Sequence, residues 1–268
     1  MKSLILTLLI ICSSNAFTQT AEEYINKGFK KGKLKNHEGA ISDFSKAIKL
    51  NPDYKDAYFF RALSKGKLED YRGAIEDYSK VIALDPSDKN AYCERGIQKA
   101  KLRDYRGAVM DYSKAIKLDS NYKKAYFNRG LAKILLEDHR GAIADYNSVI
   151  KLNPNYTDAY YSRGYAKKAL KDYRGAIEDF NKAINLAPNL GKAYFHRGDA
   201  KMELEGYRGA ILDFNKSIDL DFKIAKAYFY KGATKIILGN ENEGCLDLSK
   251  AGELGFGKAY GLIKEVCN

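Results

Sequence analysis

Residues 123–156 read KKAYFNRGLAKILLEDHRGAIADYNSVIKLNPNY, and residues 157–190 read TDAYYSRGYAKKALKDYRGAIEDFNKAINLAPNL. Laid one on the other, they set Tyr126 on Tyr160, Gly130 on Gly164, Ala142 on Ala176, Tyr146 on Phe180 and Pro154 on Pro188. The offset is 34 residues, and it extends outward in both directions. Tyr24, Tyr58, Tyr92, Tyr126, Tyr160, Tyr194 and Tyr228 recur on it, and so do all four prolines, Pro52, Pro86, Pro154 and Pro188. A period of this length marks like supersecondary units stacked in a row, each touching only its neighbours. Such a chain has no single central pocket, which points away from an enzyme and toward a binding scaffold.

With Ala21 as position one, units span 21–54, 55–88, 89–122, 123–156, 157–190, 191–224 and 225–254. Each runs to a leucine at position fourteen (Leu34, Leu68, Leu102, Leu136, Leu170, Leu204, Leu238), then breaks in a short polar stretch such as Glu69-Asp70-Tyr71-Arg72-Gly73. A second apolar stretch follows, in which Ala142, Ile143, Tyr146, Val149 and Ile150 recur at three- and four-residue steps. That spacing gives one apolar helical stripe. A proline then favours a turn before the next unit. Gly73, Gly107, Gly141, Gly175 and Gly209 lie beside the alanine that opens the second stripe, where small residues are expected to let two helices approach closely. The unit is therefore read as helix–turn–helix, repeated seven times in an all-α chain.

These features resemble the tetratricopeptide-repeat (TPR) family. Its signature has an aromatic at position four, Gly or Ala at eight, Ala at twenty, an aromatic at twenty-four, Ala at twenty-seven and Pro at thirty-two. The fourth unit supplies Tyr126, Gly130, Ala142, Tyr146, Val149 and Pro154; the fifth supplies Tyr160, Gly164, Ala176, Phe180, Ala183 and Pro188. The resemblance implies an all-α, right-handed α-solenoid. The seventh unit departs from it, with Gly244 for the packing alanine and Leu248 for the aromatic, and 255–268 reads as a C-terminal capping helix.

The family places apolar residues at positions seven and eleven, but this chain places cations there. Position seven is Lys27, Arg61, Arg95, Arg129, Arg163, Arg197 and Lys231; position eleven is Lys31, Lys65, Lys99, Lys133, Lys167, Lys201 and Lys235. A helical wheel sets both rows on the face of the packing tyrosine. Unpaired cations there would be costly, and the second helix offers an anion in every unit: Asp43, Asp77, Asp111, Asp145, Asp179, Asp213 and Asp247. The expectation is an ion-pair ladder of Arg61–Asp77, Arg95–Asp111, Arg129–Asp145, Arg163–Asp179 and Arg197–Asp213, with the position-eleven lysines reaching out to water.

In the resembled family, first helices line a concave groove that holds an extended peptide or a partner helix. The wheel turns positions two, five, six, nine, twelve and thirteen away from the core of the unit. The residues expected to form the wall are Phe60, Leu63, Ile97, Phe127, Asn128, Leu131, Ile134, Leu135, Tyr161, Tyr165, His196, Met202, Tyr230 and Ile236. An apolar stripe of this extent marks an interaction site, although position five can equally be core against the next unit. The family's carboxylate clamp, Lys at five with Asn at nine, is matched by no unit.

The net charge of +12 invites an acidic partner, yet the paired rows account for part of it and spread the remainder evenly. A single nucleic-acid patch is not expected; the alternatives to a groove-binding scaffold are a structural subunit of a cell-envelope assembly and a weak binder of an acidic polymer through the regularly spaced lysines. The chemistry of a catalyst is not recognisable either: His37, His139 and His196 are scattered, with no zinc-like spacing and no nucleophile–base set. The expectation is no cofactor, no metal, no small-molecule substrate, and a protein or peptide partner, with any membrane link through an envelope complex. Residues 1–16 read as a signal peptide: Lys2, an apolar run from Leu4 to Cys12, then Ser14-Asn15-Ala16. Residues 17–20 form a short linker to the repeats. Export to a periplasmic, envelope-associated or extracellular place follows, and it permits disulfides. Cys245 and Cys267 fall on neighbouring C-terminal helices, where they either bridge or stay inert thiols.

Overall fold

The computed structural model describes residues 20–267. The expected signal peptide, 1–16, and all of the linker but Thr20 lie outside the described residues. Among the described residues there is no strand, and fifteen helices follow in order: α1 (Ala21–Lys33), α2 (His37–Leu50), α3 (Lys55–Lys67), α4 (Tyr71–Leu84), α5 (Lys89–Lys101), α6 (Tyr105–Leu118), α7 (Lys123–Leu135), α8 (His139–Leu152), α9 (Thr157–Ala169), α10 (Tyr173–Leu186), α11 (Gly191–Glu203), α12 (Tyr207–Asp219), α13 (Ile224–Ile237), α14 (Glu241–Glu253) and α15 (Lys258–Val266). They fall into two compact units, one ending at Ser120 with α1–α6, the other beginning at Asn121 with α7–α15. Within each unit an odd-numbered helix pairs with the next as a hairpin, and successive hairpins pack in tandem, the stacking of an α-solenoid.

The turn inside a hairpin is fixed by two motifs that share a residue. Helix α7 stops because Glu137 adopts a left-handed backbone, φ 62°. The N–H of Glu137 then donates to the carbonyl of Ile134 at 3.0 Å, and that of Asp138 to Lys133 at 2.9 Å, which satisfies two orphan carbonyls of the helix end. Asp138 next opens α8, its Oδ1 accepting from the N–H of Gly141 at 2.9 Å. The left-handed position recurs at Lys35, Glu69, Arg103, Lys171 and Glu205, φ 60–64°, and at Gly239. The cap recurs at Asn36, Asp70, Asp104 and Asp172.

This geometry corrects the reading of Gly73, Gly107, Gly141 and Gly175. They face the capping carboxylate, not a neighbouring helix: a Cβ on Gly141 would strike Oδ2 of Asp138. Close helix approach is found at position eight instead, where a Cβ on Gly130 would lie 2.8 Å from the Tyr146 ring. The hairpin cores are built on that contact. Ala40, Ala74, Ala108, Ala142, Ala176 and Ala210 are wholly buried, as are Tyr78, Tyr146, Phe180 and Phe214. Large rings packed against alanines fill the space between helices.

In the last hairpin, Gly232 and Gly244 face each other, and a Cβ on Gly232 would come within 2.7 Å of the Gly244 carbonyl oxygen. The backbones are thus too close for an aromatic, and the buried Leu248 takes its place. Beyond it Phe256 lies 4.9 Å from the Phe229 ring, and a disulfide joins Cys245 of α14 to Cys267 after α15. Cys93 is buried and takes no part in a disulfide.

Candidate functional site

The cation rows are settled by geometry. Asp77 is 4% exposed and accepts from Arg61 twice, from Nε at 2.8 Å and Nη2 at 2.6 Å. Lys65 Nζ lies 2.8 Å from its second oxygen. The same trio is formed by Arg95, Lys99 and Asp111, by Arg129, Lys133 and Asp145, by Arg163, Lys167 and Asp179, and by Arg197, Lys201 and Asp213. The position-eleven lysines therefore do not run out to water. A buried carboxylate has more acceptor sites than one guanidinium fills, and the lysine takes the remainder. The end hairpins use lysine alone: Lys31 meets Asp43 at 2.6 Å, while Lys231 and Lys235 share Asp247.

Four of the arginines also reach backward within their own unit. Arg61 Nη1 donates to Ser45 at 3.1 Å, Arg95 to Ser79 at 3.0 Å, Arg163 to Asn147 at 2.6 Å and Arg197 to Asn181 at 2.7 Å. Those acceptors belong to the preceding hairpin, so the guanidinium stitches two repeats together. Its plane stands over the position-four tyrosine, 5.5 Å from the ring centre for Arg61 and Tyr58. The hydrogen bonds to Asp77 raise the Arg61 pKa above its ordinary value. These charges hold the fold together and are spent before any ligand arrives.

The wall expected to bind a partner is described for each unit separately. In the unit ending at Ser120, Leu63 is 38% exposed and Phe60 and Ile97 are half-buried. Phe60, Leu63, Phe29 and Phe44 line an open recess of about 300 Å³, with Lys33 and Lys67 at its rim. In the other unit, Leu131, Ile134, Tyr161 and Tyr165 come together with Tyr146 and Ser162 around a recess of about 210 Å³. Leu131 and Tyr165 are 39% and 38% exposed, and Leu135 nearby is 58% exposed. Asn128 is half-buried.

The remaining expected wall residues are partly claimed by packing. Phe127 lies 5.8 Å from the Tyr146 ring and 5.2 Å from Tyr156. Met202 Sδ accepts from Thr234 Oγ1 at 3.1 Å. Tyr230 stacks on Phe214 at 5.8 Å, and Ile236 lies over Gly244. His196 is placed beneath the wall and not on it: it is 7% exposed, ringed by Tyr161, Tyr165, Phe180 and Phe195. Burial, then the charges of Lys168, Lys223, Lys226 and Lys192, hold its pKa down to about 3. Sequence reasoning overlooked that lysine group, because the four sit at three different repeat positions. The departure from Pro to Phe222, one residue before Lys223, was the available signal.

Among the described residues there is no group of three or more His, Cys, Asp or Glu side chains placed to hold a metal ion, and no helix long and apolar enough to cross a membrane. Models of the tetratricopeptide-repeat family match residues 21–54 and 55–88, 157–190, and, as a TPR repeat, 134–171. No curated protein matches the chain at a significant level. Among solved structures, the C-terminal part of a TPR repeat-containing protein from Cytophaga hutchinsonii superposes with a TM-score of 0.74 at 19% identity, over 88% of this chain and 98% of that one. The MamA protein gives 0.60 at 26% identity, over 64% and 94%. YrrB, described as having an unusual peptide-binding site, gives 0.59 at 22% identity, over 66% and 91%.

Proposed function

This chain is a tetratricopeptide-repeat protein, and we propose that it is a non-catalytic scaffold which binds a peptide or partner helix on its first-helix faces, in an exported compartment. One observation carries the binding face: the recess of Leu131, Ile134, Tyr161 and Tyr165, where apolar and aromatic side chains stay open to solvent although the adjoining core is fully buried. Exposed aromatic anchors beside a shaped apolar recess are what a partner side chain needs. The peptide-binding site of YrrB supports the analogy at the level of fold. Export draws support from the Cys245–Cys267 disulfide, which a reducing cytosol would not maintain, and from the leader-like composition of residues 1–16. The acidic-polymer reading loses ground, since most position-eleven lysines are engaged on buried aspartates.

The test is crosslinking of the chain in its own cell envelope, comparing wild type with a Leu131→Ala/Leu135→Ala/Tyr165→Ala variant. All three side chains are exposed, so folding should be retained. Loss of the crosslinked partner is expected. An undiminished yield would transfer the function to the outer faces, where Met110, Leu212 and Leu246 are each at least 70% exposed.

A further inference from the structure

A repeat protein repeats its residues wherever only stacking is required, so departures that gather at one place mark a local demand. Five gather in the unit beginning at Asn121. Phe222 stands where Pro52, Pro86, Pro154 and Pro188 stand in other repeats, and Lys223 follows it. The turn is unlike the equivalent ones, with Asp221 and Lys223 both left-handed at φ 54° and 47°. Lys168 replaces the small or apolar residue of position twelve, His196 sits at position six, and Asp199 replaces the apolar or aromatic residue of position nine.

The fold brings them together. Phe222 packs 5.9 Å from Phe195. Lys223 Nζ lies 5.1 Å from the Phe195 ring centre and 5.3 Å from Phe222; Lys226 Nζ lies 5.8 Å from Phe195 and 5.4 Å from Tyr230. Two ammonium groups thus share one aromatic ring. Lys168 is held by Asp199, and Lys192 by Asp158 at 3.0 Å. Among the described residues, Lys223 and Lys226 make no ion pair. Burial and the charges of Lys226 and Lys168 lower the Lys223 pKa, so like charges crowd this spot at a cost. Under it lies His196, 7% exposed, with a buried Nδ1 that has no hydrogen-bond partner.

We propose that Lys223 and Lys226, over the aromatic floor of Phe195, Phe222 and Tyr230, form a subsite for a side-chain carboxylate of the bound peptide. The inference rests on the groove reading above. A carboxylate between the two ammonium groups offsets their repulsion, and the rings beside it receive the methylenes or an adjoining apolar side chain. The engaged Asp158 and Asp199 keep the other two lysines out of the contact, so the demand is for one acidic residue set among apolar ones. This is not the terminal-carboxylate clamp, whose lysine and asparagine positions are occupied by other residues here.

The experiment is fluorescence anisotropy on the full chain with two probes, a labelled Glu-Leu-Tyr-Glu-Leu-Glu amide and its Gln-for-Glu counterpart. The expected preference for the Glu probe is roughly ten-fold, falling to about two-fold or less in K223Q/K226Q with the Gln probe unaffected. A charge-matched control, K80Q/K117Q, removes two exposed lysines from the other unit and should keep the preference. Equal binding of both probes by wild type would overturn the subsite and leave the groove reading standing. A preference that survives K223Q/K226Q, or falls equally in the control, would assign it to the general field of a chain of net charge +12 and overturn the subsite too. Binding of neither probe overturns it as well, while the groove reading is still decided by the crosslinking.

Discussion

At the scale of single residues, the buried aspartates decide most. Asp145 accepts from Arg129 and lies 2.9 Å from Lys133. Removing it leaves two cations facing each other in a half-buried place. Asp145→Ala should cost about 3–5 kcal/mol, against a change within about 0.5 kcal/mol for the exposed Glu76→Ala; urea denaturation of both variants checks this. His196 gives a second prediction. Its pKa of about 3 in the fold lies below the ordinary histidine value, so the unfolded chain takes up the proton first as pH falls. The stability concerned is complete above about pH 6.5 and drains away toward pH 3. Between pH 7 and pH 5 the wild type should lose about 2 kcal/mol more than His196→Phe, read from urea curves at the two pH values. The Arg–Asp spacing is legible in the sequence because a cation at position seven and an aspartate on the second helix recur without exception on the same period. What the lysines of position eleven do was not legible, because spacing cannot count the free acceptor sites of a carboxylate.

Among the elements, the hairpin turn carries the clearest lesson. One residue, Asp138, both finishes α7 and starts α8. The residue before it must turn left-handed, and in six of the seven turns it is Lys, Glu or Arg. Such residues pay about 1–2 kcal/mol for that backbone. Glu137→Gly should therefore stabilise its hairpin by about 0.5–1 kcal/mol once the larger freedom of glycine in the unfolded chain is subtracted, seen as a rise in the urea midpoint. Lower stability in the variant would mean that the Glu137 side chain does something the backbone does not reveal. The existence and length of the helices were legible from apolar periodicity and the polar break. The left-handed turn was not, since only Gly239 advertises it by residue type. The role of Gly141 was misjudged for a related reason: its neighbour in space is the cap three residues earlier, and stripe patterns look only along the helix.

On the scale of the whole chain, stability is additive along stacked hairpins, and the last ones depend on their closure. The disulfide closes a loop of 22 residues, a constraint worth about 3 kcal/mol by loop entropy. Cys245→Ser/Cys267→Ser should raise hydrogen exchange in α14 and α15 while leaving α7–α9 as they were; a uniform rise across α7–α15 would show a single cooperative block instead. The order of the repeats was legible from the period alone. The lysine cluster above His196 was not, since it draws on residues from three repeats and no single-repeat template contains it.

The backward reach of the arginines gives the array a direction of growth. The blocks 55–88, 89–122, 157–190 and 191–224 each bring the guanidinium donor for the junction behind them, and the block before each offers a Ser or Asn acceptor from its second helix. Inner blocks are in that sense interchangeable bricks, and duplication of residues 157–190 would lengthen the chain with each seam complete. The block 21–54 has Lys27, which lies over Tyr24, in that place. Placed inside the array it would leave the junction behind it without that guanidinium bond, so gain or loss of length is expected among the arginine-bearing blocks.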